Sequence, residues 1–375
     1  MARLLTSLAA AMCLVSTLAA PSATATPAPT YANELQPQVA AELRTLNVPG
    51  AIVYVNAPGK GAWTATFGTG NLKTKEPMRR SFHMRIGSIT KTMTGTIILQ
   101  LVDRRMLRLD DPVSKYERVP NGTHITISQL LNMTSGLYNY SEDRNFNHVL
   151  DTQPRKEWKP GELLAIAFRH KPYFPPGRGF HYSNTNTVLL GLIAEKVTGQ
   201  PLATLFQNRI FRPLHMTQSS LPATDAIPNP HPRGYMYGTN VLTIKTATVP
   251  PGTPMRDVTD DNPSWGWAAG AAVSTLHDLQ IWSKALATGT LLKPATQRER
   301  LTWVKFPSPI RYGLAIFDAG GFLGHNGQLP GFQSFMGYRP SDGATIIVLT
   351  NLNASQSGKE PADEIAKVIL KRVFP

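Results

Sequence analysis

The strand-forming stretches of this chain lie at its two ends, and the segments between them carry helix and loop patterns. Ala51-Ile52-Val53-Tyr54-Val55 and Trp63 to Phe67 are β-branched and aromatic runs around the turn sequence Asn56-Ala57-Pro58-Gly59-Lys60-Gly61. Near the other end, Phe332 to Tyr338 and Ala344 to Leu349 flank Arg339-Pro340-Ser341-Asp342-Gly343 and form a second hairpin signal. A helix is expected from Pro361 to Val373, with Ile365, Val368, Ile369 and Val373 on one face. Ser88 opens a helical stretch in which Ile89, Met93, Ile97 and Leu101 fall four apart. Thr187 to Val197 is a further apolar helix, stopped by Gly199 and Pro201. Residues 221 to 265 are rich in Pro, Gly, Asn and Thr and read as a long irregular excursion. The pattern predicts an α/β (α+β) architecture: one antiparallel sheet built from both termini, flanked by helices, with a helical lobe inserted. The sheet lobe takes about residues 35–85 and 300–375, and the helical lobe about 86–299. With 375 residues, 42% hydrophobic and 17% charged, the chain can bury a large core and is neither disordered nor fibrous in composition.

The first residues bear on the compartment. Arg3 precedes the apolar stretch Leu4 to Ala20, and Ala23-Thr24-Ala25 fits a small-residue cleavage site. Residues 1–25 are therefore expected to be a signal peptide. The stretch is short for a membrane span and lacks a stop-transfer pattern, so no transmembrane anchor is expected after cleavage. Residues 26–34 read as a flexible Pro/Ala/Thr leader, and 35–375 as the functional domain. The expected location is secreted or extracytoplasmic, in the cell envelope or periplasm. Cys13, the sole cysteine, lies within the signal, behind Met12 and in mid-run, which does not fit a lipid anchor. The mature chain then has no disulfide, thiol nucleophile or Cys-based metal site. The net charge of +14 is carried by scattered Lys and Arg without a stripe or recognition motif, which argues against nucleic acid as a partner.

Three short motifs can carry chemistry. Ser88-Ile89-Thr90-Lys91 places a hydroxyl and an amine one helical turn apart. A serine is a weak nucleophile without a base, and a lysine becomes that base only when its pKa is lowered. The bland alternative is an N-cap serine beside a solvated lysine. Tyr182-Ser183-Asn184 follows a Pro- and Gly-rich loop and precedes an apolar helix, so Tyr182 and Asn184 can face one side of an extended segment. Its alternative is an aromatic anchor under that helix. His325-Asn326-Gly327 lies between Gly320-Gly321 and Gly331, where His325 can polarise a ligand and Gly327 can let it approach the backbone. Its alternative is a solvated loop histidine. No H-E-x-x-H, G-x-S-x-G, P-loop or G-x-G-x-x-G is present, and no metal or organic cofactor is expected.

Taken in order, Ser-Lys, Tyr-x-Asn and His-x-Gly resemble the signature of the penicillin-recognising serine hydrolases. Within that family the chain is similar to the class C β-lactamase, D-alanyl-D-alanine carboxypeptidase and esterase group, and above all to secreted DD-peptidases of actinobacterial type. The likeness extends to Leu109 to Val113, Leu130 to Leu137, Ala269-Gly270, Tyr312-Gly313-Leu314 and Gly324 to Phe332. It implies a β-lactamase/DD-peptidase-like fold and an acyl-enzyme on Ser88, with Lys91 accepting its proton. Tyr182 would pass a proton to the leaving group. The amides of Ser88 and Gln328 would form the oxyanion hole, and Asn184 would hold the substrate amide or Lys91.

The sequence also departs from the family pattern. Met133 stands where many relatives carry His and is expected to affect packing. After Tyr312-Gly313-Leu314 the chain reads Ile316-Phe317-Asp318, without the basic residue that helps bind a free substrate carboxylate in peptidase relatives; Arg311 is the candidate substitute. Three activities follow as expectations: a penicillin-binding DD-carboxypeptidase acting on peptidoglycan stem peptides, an esterase on small acyl substrates, or a class C-type β-lactamase. In the esterase reading Phe317, Trp265 and Trp267 line an apolar pocket; the equal alternative for Trp265 and Trp267 is a place in the core. A non-catalytic binding or sensor domain is the reading from another class.

Overall fold

The computed structural model describes residues 28–242, 248–304 and 309–375. The expected signal peptide, with Cys13, lies outside the described residues. The first strands are β1 (Gly50–Ala57), β2 (Gly61–Asn71), β3 (Glu76–Pro77) and β4 (Met84–Arg85). The middle of the chain supplies β5 (Tyr235–Tyr237), β6 (Met255–Asp257) and β7 (Val273–Ser274). The C-terminal part adds β8 (Ile310–Tyr312), β9 (Phe317–Ala319), β10 (Phe322–Leu329), β11 (Phe332–Arg339) and β12 (Ala344–Thr350). Eight of these form one antiparallel sheet in the order β3-β2-β1-β12-β11-β10-β9-β8. The two ends of the chain meet at its centre, with Val53 opposite Val348 across β1 and β12.

Both faces of this sheet are covered, which is why its central strands read as almost unbroken apolar runs. Helix α1 (Thr30–Thr45) and the C-terminal helix, here α5 (Pro361–Val373), cover one face. Leu35, Val39, Ile365 and Ile369 pack there with Val53, Val55 and Val348. Ile52, Ile347 and Leu349 point the other way, into the core of the helical lobe, as the two-residue period of a strand requires. Helix α4 (Leu276–Thr288) packs on that face against β10, β11 and β12.

The expected leader is shorter than the composition suggested. Thr30 already begins α1, and Ala32, Leu35, Val39 and Leu43 are buried at helical spacing. The irregular excursion also contains one small ribbon, β5 paired with β6.

Helix α2 (Thr90–Asp103) is buried on every side rather than along one face. Its threonines make that possible by satisfying their own hydroxyls. Thr90, Thr92 and Thr96 donate to the carbonyls of Gly87, Ile89 and Thr92, and Thr94 donates to Ala268 at 2.7 Å. Helix α3 (Asn184–Thr198) packs beside it and ends at Gly199, which adopts φ 67°. Where α2 meets the turn after β8, a Cβ on Gly95 would lie 2.4 Å from that of Ala315, itself held at φ 55°. Gly95→Ala should cost about 1–3 kcal/mol by overpacking. Adding Ala315→Gly removes both the clash and the left-handed strain, so the double variant should regain most of that loss in chemical denaturation. Additive destabilisation would contradict this contact.

Candidate active site

Ser88 sits in a single helical turn, Gly87–Ile89, immediately before α2. Lys91 lies in the first turn of α2 and has no solvent exposure. Its Nζ is 2.9 Å from Ser88 Oγ, 2.6 Å from Asn184 Oδ1 and 2.8 Å from the Ala269 carbonyl. No carboxylate is among these partners, and burial drives the Lys91 pKa well below that of an ordinary lysine. A neutral amine has two N–H groups and one lone pair. Asn184 and Ala269 take the two N–H groups, which turns the lone pair toward the Ser88 hydroxyl. This is the arrangement of a general base and its nucleophile.

Tyr182 approaches from the extended segment before α3. Its ring centroid lies 4.8 Å from Lys91 Nζ, and its buried hydroxyl has no hydrogen-bond partner among the described residues. Burial raises its pKa, opposed by the nearby Ser88 hydroxyl. With Lys91 neutral, no cation offsets this, so Tyr182 is held as a phenol that can donate a proton.

Asn184 is fixed by residues that the motif reading did not single out. Its backbone N–H donates to Asn139 Oδ1 at 3.1 Å and its Nδ2 to Ser141 Oγ at 2.9 Å. Asn139 in turn donates to Glu142 Oε1 at 3.1 Å. These residues belong to a loop distant in sequence, and no spacing rule connects them with Tyr182-Ser183-Asn184. The Ala269 carbonyl was equally invisible, because a backbone group leaves no residue signature.

Two glycines join the sheet to the nucleophile. Gly87 adopts φ 52°, and a Cβ there would lie 2.5 Å from the Gln328 nitrogen. A Cβ on Gly327 would lie 2.1 Å from the Ile86 carbonyl oxygen and 2.8 Å from the Ser88 nitrogen. Gly327 therefore serves backbone approach between β10 and the Ser88 turn. Gln328 lines the cleft above Ser88, together with Tyr182, Asn184 and Trp265. The cleft has a volume of about 410 Å³.

His325 does not reach this cleft. It is 2% exposed, its Nδ1 lies 2.6 Å from the Asn326 carbonyl, and its Nε2 lies 3.0 Å from the Tyr312 hydroxyl. The carbonyl can only accept, so Nδ1 carries the proton and Nε2 accepts from Tyr312. Burial lowers its pKa to about 3. His325 is thus a neutral support behind Tyr182, with ring centroids 6.0 Å apart, and not the exposed polarising group expected from its glycine-rich surroundings.

The apolar wall also differs from expectation. Trp265 lines the cleft beside Phe146, Leu150 and Leu329. Trp267 is turned into the core, where its ring fills the space left by Gly191. Phe317 is buried between His325 and Phe335. Arg311 cannot stand in for the missing carboxylate-binding residue: it pairs with Asp318 across the β8–β9 rung and lies 5.0 Å over the Trp303 ring. Met133 packs as expected, buried with its sulfur 3.4 Å from Asn186 Nδ2. Among the described residues no group of three or more His, Cys, Asp or Glu could hold a metal, and no helix is long and apolar enough to cross a membrane.

Residues 35–370 match the family model described as Beta-lactamase. The chain belongs to the beta-lactamase family. Its fold and its likeness to the penicillin-recognising serine hydrolases follow from that match. Protein flp of Staphylococcus aureus (strain N315) is 30% identical over 332 residues, covering 84% of this chain and 61% of that protein. This beta-lactamase relative thus spans only about three-fifths of the curated protein's length. A D-stereospecific amidohydrolase from Streptomyces sp. is 31% identical with a TM-score of 0.78, covering 91% of this chain and 98% of its own. The D-amino acid amidase from Ochrobactrum anthropi SV3 is 27% identical with a TM-score of 0.77 at the same coverage.

The titrations give two expected outcomes. The acylation rate should rise with pH through a limb set well below the usual lysine range, because Lys91 must be neutral to act. Lys91→Arg introduces a fixed cation that cannot serve as base and should slow acylation about 10²–10⁴-fold, measured by stopped-flow ester turnover. His325 stays neutral in the fold while the unfolded chain takes up a proton below about pH 6.5. Its burial therefore removes stability as pH falls from about 6.5 toward 3. His325→Gln should shift the acid-unfolding midpoint downward, as followed by circular dichroism.

Proposed function

We propose that this protein is a serine amidohydrolase that forms an acyl-enzyme on Ser88 and cleaves amide bonds of small substrates with a D-configured acyl part. The observation carrying this reading is the buried Lys91 amine, which holds two acceptors and turns its lone pair to Ser88 without a neighbouring acid. Ser88 Oγ attacks the carbonyl carbon as its proton passes to Lys91. The developing oxyanion is met by the backbone amides of Ser88 and Gln328, which the Gly87–Gly327 contact brings together. Tyr182 gives its phenolic proton to the departing nitrogen and is reprotonated from Lys91 as the C–N bond breaks. Water then attacks the ester, its proton returns through Lys91 to Ser88, and the acid leaves.

The preference for D-configured amides is supported by the Streptomyces and Ochrobactrum proteins, which are similar to this chain over nearly their whole length. The DD-carboxypeptidase reading is the second candidate and requires a cation for the terminal carboxylate. Arg311 is committed to Asp318, and among the described residues no basic side chain lines the cleft. Esterase and β-lactamase activities use the same acyl-enzyme and differ in leaving group and deacylation. The signal-like pattern of residues 1–25 supports a location outside the cytoplasm in this proposal, where D-configured peptides of peptidoglycan would be substrates.

Wild-type protein should release ammonia from D-alaninamide or D-phenylalaninamide faster than from the L enantiomers. Ser88→Ala should fall to background with an unchanged melting temperature. Intact mass after mixing with benzylpenicillin should show any acyl adduct only when Ser88 is present. Turnover retained by Ser88→Ala would overturn the assignment, and preferential cleavage of peptides ending in D-Ala-D-Ala would favour the carboxypeptidase reading.

A further inference from the structure

The chain carries 38 Lys and Arg against 24 Asp and Glu, yet the one charged side chain among the described residues lining the catalytic cleft is an acid, Glu360. Glu360 immediately precedes α5, at the end of the loop that leaves β12. Apart from the hydrogen bond it shares with Asp363, its carboxylate is only loosely engaged within the protein. Oε2 lies 3.5 Å from Asn326 Nδ2 and 3.4 Å from Gln333 Nε2, both at the limit of a hydrogen bond. Of the cations on the same helix, Lys371 and Arg372 lie in its last turn, and Lys367 is committed to Glu364 at 2.6 Å. Behind Glu360, Asp363 accepts from Asn326 at 2.8 Å. Burial, followed by the hydrogen bond and charge of Glu360, pushes the Asp363 carboxyl well above the usual carboxylate range.

A second polar residue lines the same cleft. Asn353 is 7% exposed, and its Oδ1 is buried without a partner among the described residues. A buried amide oxygen without a donor is costly unless a ligand supplies one. Its position is fixed, because its backbone carbonyl accepts from Gln328 Nε2 at 2.9 Å. The loop is further braced by Ser355, whose carbonyl accepts from Gly358 and whose amide donates to Lys359. A carboxylate and an unpaired amide oxygen, held rigidly beside the oxyanion strand, suit a group with several donors and no acceptor. An ammonium has that character; a substrate carboxylate would be repelled.

We infer that Glu360 and Asn353 form the receptor for a protonated amine on the acyl part of the substrate, so that the preferred substrates are aminoacyl compounds with a free amino group. This rests on the acyl-enzyme reading above and narrows its substrate class. It also gives a physical reason why no carboxylate-binding cation lines the cleft among the described residues: the cleft is built for the opposite charge.

The test compares D-alanine p-nitroanilide with propionic acid p-nitroanilide, which has the same carbon skeleton without the amine. The corresponding p-nitrophenyl esters serve as a second pair that requires only a competent Ser88. Wild-type protein should favour the amine-bearing member by at least about 10-fold in kcat/KM, and N-acetylation should abolish the preference. In Glu360→Gln the ratio should drop about 10–100-fold, mainly through KM, and Asn353→Ala should lower it less. Circular dichroism checks that both variants fold, and the wild-type comparison needs no variant. Equal rates for the paired substrates in the wild type, or a ratio within twofold of wild type in folded Glu360→Gln, would overturn the amine receptor alone. Turnover independent of Ser88 would instead overturn the catalytic reading.

Discussion

A lysine amine enclosed without a counter-charge sets the terms for the rest of this molecule. Lys91 cannot keep its ordinary protonation at zero exposure, so its surroundings must provide acceptors for a neutral amine and nothing that would pin it as a cation. The Ala269 carbonyl and the Asn184 side chain meet that demand from separate parts of the helical lobe. Around them, the threonines of α2 turn their hydroxyls back on the backbone, so that a polar helix can be packed on all sides. The result is an enclosure where the state of one nitrogen is decided by water exclusion. Glu142 and Asn139 extend the same control outward by holding Asn184 in place.

The sheet contributes shape more than charge. Its strand β10 runs against the Ser88 turn so closely that neither Gly87 nor Gly327 has room for a methyl group. His325, on the same strand, is kept neutral behind Tyr182. Among the described residues, charge enters the cleft only at its margin, through the loop between β12 and α5. Bond-making groups are therefore insulated from the ionic environment, and recognition is assigned to a different segment of chain.

The sequence revealed most where a residue's type and its neighbours decide its structure. The β11–β12 hairpin, the C-terminal helix and the end of α3 at Gly199 are local events, and they form where the pattern places them. Ser88 and Lys91 share a helical turn, so their meeting was also legible. Misreadings arose where tertiary packing decides. Thr30 to Glu34 looked like leader because Pro and Ala surround them, although the spacing of Ala32, Leu35, Val39 and Leu43 was available as a signal. His325, Trp267 and Phe317 have the chemistry of cleft residues but face inward, since a strand or short helix sends neighbouring side chains in different directions. Arg311 was a reasonable carboxylate ligand until Asp318 was found opposite it on the next strand. Asn353 and Glu360 carry no motif, and only the loop's path past Gln328 brings them to the cleft.

The seam between β1 and β12 has a consequence for how the molecule is made. The innermost rung of the sheet joins Val53 to Val348, and α1 can bury its apolar face only with help from α5, the last helix. Loop closure across almost the whole chain must precede those contacts, which places this fold among slow, high-contact-order topologies. While a ribosome is still adding the C-terminal strands, the first hairpin has no central partner and its edge remains open. Assembly of the sheet therefore waits on the synthesis of β12 and α5, and the interval before it is when the nascent protein is most exposed to aggregation.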